Sequence, residues 1–320
     1  MLFEKIESMY HKNVYTRADE NGTVFYFSAE DFKGLLKEPF SFVSSRGHRM
    51  QGYLYSYKCP MANHIVIFEH GMGSGHRGYM KEIELLARHG FLVFAYDHTG
   101  CMESGGETTG GFSQSLMDLD DAIMALKNNE AYRDCDISVV GHSWGALSAL
   151  NITAIHPDIR HIVAISGPIS VQTLLKQLFG GFLWRYGKHI YEKEKAANPK
   201  YIAYDALSTL EKTKAKVLIV HSDDDAVVSC KNNFDVMQKA LSNRENITFL
   251  KVSGKGHNPN YTAEAVKYKD SFFAIYQTTM KKNLLKTDAD KKAFISRFDW
   301  HKMTEQDMDV WKKMFEVLDS

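Results

Sequence analysis

The chain has 320 residues with a hydrophobic fraction of 44%, enough for one α/β core that carries an insertion and buries a sizeable interior. Its 39 basic and 39 acidic side chains cancel, so no net field attracts nucleic acid or an anionic membrane, and neither is an expected partner. Met1 to Asn13 holds no signal-like apolar stretch, and no later run approaches the ~20 apolar residues of a membrane span; a cytoplasmic protein without an integral membrane segment is expected, its oligomeric state open.

Val14 to Ala18 and Thr23 to Phe27 flank Asn21-Gly22, a pair suited to the positive-φ positions of a tight hairpin, and predict an N-terminal ribbon within residues 1–38. From there short apolar runs alternate with segments of helical period, the signature of an α/β protein with a largely parallel sheet. The expected strands are Phe40 to Ser45, Met50 to Tyr57, His64 to His70, Phe91 to Asp97, Ile137 to His142, Ile162 to Ser166, Val217 to His221 and Ile247 to Val252. Between them, helices are expected at Gly78 to His89, Ser113 to Asn129, Trp144 to Ile155, Cys230 to Leu241 and Thr262 to Met280. The turn joining the first two strands is too short for a crossover helix, so the sheet should begin antiparallel and continue parallel.

After the sixth strand the pattern changes. Leu174, Leu175, Leu178 and Phe179 sit at helical spacing, Gly180-Gly181 breaks the run, and Phe182 to Ala197 resumes it. The sheet core is thus expected over 39–168 and 212–280, interrupted by a helical cap at 169–211. Residues 281–320 form a C-terminal extension in which Thr304, with Asp307 three residues on, marks a helix start before Met308 to Leu318. Cys59, Cys101, Cys135 and Cys230 are scattered without metal-ligand spacing, so reduced thiols and no metal site are expected.

Gly141-His142-Ser143-Trp144-Gly145 has the G-x-S-x-G form, and it stands where a buried-strand run enters and a helical run leaves. A serine on such a sharp turn is forced outward, and flanking glycines remove the side chains that would collide. Its hydroxyl needs a base, and the base needs a partner that holds its tautomer. Two later strand ends offer these types: Val217 to His221 leads into Asp223-Asp224-Asp225, and Ile247 to Val252 leads into Gly254-Lys255-Gly256-His257. Glycines on both sides of Lys255 single out His257 among fourteen histidines. The three consecutive aspartates leave the acid open. An oxyanion needs two N–H donors, one from the residue after the serine and one from the loop after the third strand; these are Trp144 and Met72.

Four separated patches carry a resemblance: His70-Gly71-Met72-Gly73 with Arg77 and Tyr79; Asp97-His98-Thr99-Gly100 with Ser104-Gly105-Gly106; the Ser143 motif; and Gly256-His257-Asn258. Over about Phe40 to Asn258 the chain is similar to the monoacylglycerol lipase and lysophospholipase-like branch of the α/β-hydrolases. The resemblance implies the α/β-hydrolase fold, eight strands with a helical cap after the sixth, catalysis by Ser143 and His257, and an oxyanion hole at Met72 and Trp144. It also selects Asp225, because Ser222 stands where the family places the glycine three residues before its acid. Cys101 and Met102 depart from the family pattern beside the pocket.

The expected activity is hydrolysis of a small carboxylic ester through an acyl-enzyme, with no cofactor. An aminopeptidase-like amide hydrolase on the same residues is the alternative enzyme; its amine anchor would be Glu192 or Glu194, which read more simply as a solvated charged face. A slow hydrolase acting as a ligand sensor is the alternative from another class. For specificity, apolar cap residues including Phe182 and Trp184, together with Met102, are expected to line the substrate pocket, favouring medium-length acyl or aryl groups over acetyl and disfavouring anionic ones.

Overall fold

The computed structural model describes residues 2–58, 60–61 and 63–320, so Cys59 lies outside the described residues; Cys101, Cys135 and Cys230 are free thiols. The eight apolar runs form β1 (Leu36–Val43), β2 (Arg49–Ser56), β3 (His64–Glu69), β4 (Leu92–Tyr96), β5 (Asp136–His142), β6 (His161–Ile165), β7 (Lys216–Ser222) and β8 (Ile247–Val252). They make one sheet in the order β1-β2-β4-β3-β5-β6-β7-β8. β1 pairs antiparallel with β2 and β2 with β4, and every later pairing is parallel. The short turn at Gly47, where φ is 79°, reverses the chain directly. β3, β5, β6 and β7 are buried almost end to end, without alternation, because helices cover both faces.

The helices are α1 (Leu2–Tyr10), α2 (Met80–His89), α3 (Gln114–Lys127), α4 (Trp144–Asn151), α5 (Val171–Leu178), α6 (Trp184–Ala197), α7 (Ala206–Leu210), α8 (Phe234–Ala240), α9 (Ala263–Lys281), α10 (Asp288–Ile295), α11 (Trp300–Met303) and α12 (Met308–Leu318). Strand pleating sends alternate residues to opposite faces. Ile65 and Ile67 of β3 join a core with Leu119 and Ile123 of α3, Ala149 and Leu150 of α4, and Phe234 of α8. Val66 and Phe68 join the other core, with Ile83 and Leu86 of α2 and Trp311 and Met314 of α12. Between β6 and β7 the chain leaves the sheet as α5, α6 and α7, and the break between α5 and α6 falls at Gly180-Gly181.

The termini differ from the sequence reading. Among the described residues no N-terminal ribbon forms. Residues 2–15 are α1 and a π-helical turn, and the next segment meets the loop after β4 through single bridges, Thr16 to Thr108 and Ala18 to Cys101. Asn21-Gly22 does turn the chain, with Asn21 Oδ1 accepting from the Thr23 N–H at 3.1 Å. The two arms do not pair because they bury their apolar residues in different places: Val14 and Ala18 in the cluster of Phe112 and Trp144, Phe27 in that of Phe68 and Met80. In the extension, Asp307 rather than Thr304 caps α12: it accepts from the Asp309 N–H at 2.9 Å, while the Thr304 hydroxyl is turned to the Trp300 carbonyl at 2.7 Å.

α12 packs on β6 and β7 as an integral layer. Trp311 is fully buried, its indole N–H donating to Gln306 Oε1 at 2.9 Å. Trp311→Ala should therefore cost about 3–5 kcal/mol in urea unfolding; a loss under about 1 kcal/mol would show that α12 is an appendage.

Candidate active site

Ser143 sits between β5 and α4 with φ 56° and ψ −111°, a conformation that a residue with a side chain adopts only when its surroundings force it. The surroundings are two close backbone approaches. A Cβ at Gly141 would lie 2.4 Å from the Gly145 carbonyl oxygen, and one at Gly145 would lie 2.2 Å from that of Glu69 at the end of β3. The Ser143 N–H donates to the Ile165 carbonyl at 2.8 Å, locking the turn to β6.

The neighbouring strand ends supply the partners. His257 Nε2 lies 2.8 Å from Ser143 Oγ, and His257 Nδ1 lies 2.8 Å from Asp225 Oδ2. Asp225 Oδ1 accepts the N–H groups of Val227 and Val228 at 2.8 and 2.9 Å, and His221 Nε2 stands 3.3 Å from Oδ2. Burial by itself raises the Asp225 carboxyl; hydrogen bonds from His221 and His257, the His257 charge and the Val228 N–H outweigh it and hold the group well below the usual carboxylate range. The other two aspartates are occupied differently. Asp224 accepts the N–H groups of Lys255 and Gly256 at 3.2 and 3.0 Å, bracing the histidine loop, and Asp223 accepts the Ser253 hydroxyl at 2.6 Å.

A second chain of hydrogen bonds ties three loops together. The Gly71 N–H donates to the Tyr79 hydroxyl at 3.0 Å, that hydroxyl donates to His142 Nδ1 at 2.9 Å, and His142 Nε2–H donates to the His257 carbonyl at 2.7 Å. This pattern requires a neutral His142, and burial, aided by the His257 charge, lowers its pKa to about 3. His142, Tyr79 and His221 carry no assigned role in the sequence motifs that contain or adjoin them. The place of His142 inside the serine motif is the available signal; His221 stands in the sequence only as the end of a strand run.

Trp144 is the first residue of α4, so its N–H has no acceptor within the helix. Its indole is spent on the Phe112 carbonyl at 2.6 Å. Met72 lies on the loop after β3 and lines, with Ser143 and His257, a cavity of about 490 Å³. The walls of that cavity come from the termini: Phe25 and Phe27 ahead of the sheet, Phe272 and Phe273 on α9, Trp300 on α11.

The expected wall residues are elsewhere. Phe182 is 81% exposed, turned out by the Gly180-Gly181 break with the Arg185 guanidinium 4.8 Å over its ring. Trp184 packs against Gly187 and lies under Lys176, and Met102 lines an adjoining cleft that shares Tyr26 and Arg77 with the cavity. Glu192 is exposed, but Glu194 is no part of a solvated face: fully buried, it accepts the Tyr10 hydroxyl at 2.7 Å and the Phe112 N–H at 3.0 Å. The extension also anchors the histidine loop, through the ion pair of Lys255 with Asp307 and the Asp307 N–H to the Asn260 carbonyl at 2.8 Å.

Because the folded Asp225 carboxyl is depressed, its contribution to stability is present above the ordinary aspartate pKa of about 3.9 and is lost as pH falls toward the folded value. Melts of wild type and Asp225→Asn should therefore differ most near neutrality and converge below about pH 4. A gap that stays constant down to pH 2.5 would mean that the charge on Asp225 contributes nothing.

Comparison with known proteins agrees with this architecture. The family model described as serine aminopeptidase, S33, matches residues 60–203. YqkD of Bacillus subtilis, itself uncharacterized, is 28% identical over 146 residues, 45% of this chain and 46% of its own length; the match therefore spans about half of that relative. Esterase YjfP of Escherichia coli is 26% identical over 221 residues, 65% of this chain and 87% of its own. Among solved structures, the esterase Pf2001 of Pyrococcus furiosus superposes with a TM-score of 0.59 at 19% identity, over 84% of this chain and 98% of that one. Est1E of Butyrivibrio proteoclasticus, solved with ferulic acid bound, gives 0.54 at 19% identity, over 75% and 99%. The eight-stranded sheet, its strand order and these neighbours together show that the chain has the α/β-hydrolase fold.

Proposed function

We propose that this protein is a serine hydrolase that cleaves carboxylic esters of apolar acyl or aryl groups through an acyl-enzyme. The observation that carries the reading is the unbroken line from Ser143 Oγ through His257 to the depressed Asp225 carboxylate. In this mechanism His257 takes the Ser143 proton as Oγ attacks the ester carbonyl, and Asp225 fixes the tautomer and stabilises the imidazolium. The oxyanion is met by the N–H groups of Trp144 and Met72. His257 then protonates the departing alcohol, and a water activated by the same ring releases the acid and restores Ser143.

The aromatic cavity supports an apolar group on the substrate, since such walls favour each buried methylene by about 0.8 kcal/mol. Motifs like those of monoacylglycerol lipases, and the esterase names of YjfP, Pf2001 and Est1E, point the same way. The aminopeptidase description of the matching family model favours amide cleavage instead. That reading lacks its amine anchor at Glu194, whose oxygens are already used by Tyr10 and Phe112.

Ser143→Ala should abolish labelling by a fluorophosphonate probe and lower ester hydrolysis by ~10³-fold or more, with an unchanged melting curve. Residual hydrolysis within tenfold of wild type would sink the assignment. Asp225→Asn should reduce turnover by roughly 10²–10⁴-fold, because the amide favours the wrong His257 tautomer. Asp223→Asn should change it little, and an equal loss at Asp223 would transfer the role there.

A further inference from the structure

The cavity has several aromatic walls and is bordered by two lysines: Lys81, set against His301 Nδ1 at 3.3 Å and over the Phe27 and Phe32 rings, and Lys269, whose bonding is incomplete. Lys269 projects from α9 into the same space as Ser143 and His257. Its Nζ donates to Asn258 Oδ1 at 2.9 Å and lies 5.0 Å from the centre of the Tyr261 ring. Asn258 is its only hydrogen-bond acceptor among the described residues, and it has no ion-pair partner there within 4.0 Å. An ammonium has three donors, so two remain for whatever enters the cavity.

Position relative to the chemistry decides which part of an ester this group meets. His257 gives its proton to the departing alcohol, so the alcohol portion lies against His257. Lys269 is bonded to the next residue along, Asn258, and so stands beside the loop that carries His257.

Charge decides the kind of group. Glu82, on α2, is 2% exposed and also borders the cavity, as does Asp270. Glu82 is held by Asn260 Nδ2 at 3.2 Å; burial raises its carboxyl and lowers the Lys269 ammonium, and the opposite charges of the two groups act against both shifts. The ammonium therefore has counter-charge close by, and an incoming carboxylate meets repulsion as well as attraction. A neutral oxygen acceptor takes the free N–H groups without that opposition.

Resting on the ester-hydrolase reading above, we propose that Lys269 and the aromatic wall of Phe272, Phe273 and Trp300 form an alcohol subsite selecting aryl alcohols that carry an uncharged oxygen acceptor, such as a phenolic hydroxyl, at their far end.

The test uses three acetate esters with identical acyl groups: 2-phenylethyl acetate, 2-(4-hydroxyphenyl)ethyl acetate and 4-(2-acetoxyethyl)benzoate. In the wild type, kcat/KM for the hydroxylated ester should exceed that for the plain ester by about tenfold, the worth of one charge-assisted hydrogen bond, with the benzoate below the hydroxylated ester. Lys269→Met should bring the hydroxyl-to-plain ratio to about one. The ratio cancels any general damage from the substitution, because both esters share the same chemistry. Equilibrium affinity of the intact esters for Ser143→Ala, measured by calorimetry, reads the subsite without turnover. No hydroxyl preference in binding, a preference unchanged by Lys269→Met, or tightest binding of the benzoate would overturn the subsite. Preferential binding of the hydroxylated ester with no turnover of any ester in the wild type would support the subsite and overturn the hydrolase reading instead.

Discussion

The backbone of Ser143, held at a positive φ between a parallel strand and a helix, is the constraint around which the rest of the molecule is arranged. Holding a non-glycine residue there costs on the order of 1–3 kcal/mol, so the geometry persists only where neighbours leave no alternative. They do so by contact. Gly145 lies so close to the end of β3, and Gly141 to the Gly145 carbonyl, that neither position has room for a side chain, and the Ser143 N–H is bonded to β6. The turn is thus clamped by both flanking strands of a sheet whose interior strands are buried on both faces. A local strain is carried by a global core.

Beneath the loops that meet at Ser143 lies an unusually polar interior. His70 donates through Nδ1 to the Gly71 carbonyl at 2.8 Å and accepts the His98 N–H at 2.9 Å, and burial lowers its pKa to about 3. Asp97 accepts from the His76 ring at 2.7 Å, and Asp118 from the Thr99 N–H and hydroxyl at 2.8 Å each. Apolar packing alone would bury these positions at less cost, since each unpaired buried polar atom carries a penalty of roughly 1–3 kcal/mol. What the polar groups contribute is direction: they orient carbonyls and N–H groups of the loops after β3 and β4, which dispersion contacts cannot do. The chain from Gly71 through Tyr79 and His142 to the His257 carbonyl extends the same principle across three loops.

The two ends of the chain complete the cavity rather than decorate the sheet. Phe25 packs on Trp300, Phe272 packs on Trp300, and together these segments wall the space in front of Ser143. Asp307, by capping α12 and pairing with Lys255, couples that wall to the loop that carries His257. Arg17 adds a further tie, donating to the carbonyls of Ser104 and Gly106 at 2.9 and 2.7 Å and so holding the N-terminal segment on the loop after β4.

The sequence by itself determined the sheet, because eight apolar runs separated by helical periods leave few arrangements, and it determined the serine turn, because a strand run, G-x-S-x-G and a helix run lie within about twenty residues of chain. Those signals are local: they depend on side-chain period and on glycine, both readable along the chain. Among Asp223, Asp224 and Asp225 side-chain type does not discriminate; spacing from Ser222 in the family pattern selects Asp225, and in the folded loop Asp225 turns to His257 while Asp224 braces the backbone of Lys255 and Gly256. The cavity walls were likewise decided in three dimensions. The α5–α6 segment and the termini are both apolar in sequence, yet a two-glycine break turns Phe182 into solvent, while Phe25 and Trp300, far apart in sequence, meet in front of the serine. Periodicity tells which side chains face an interior; which interior they face is set by contacts between segments distant in the chain, and no window along the sequence contains both partners.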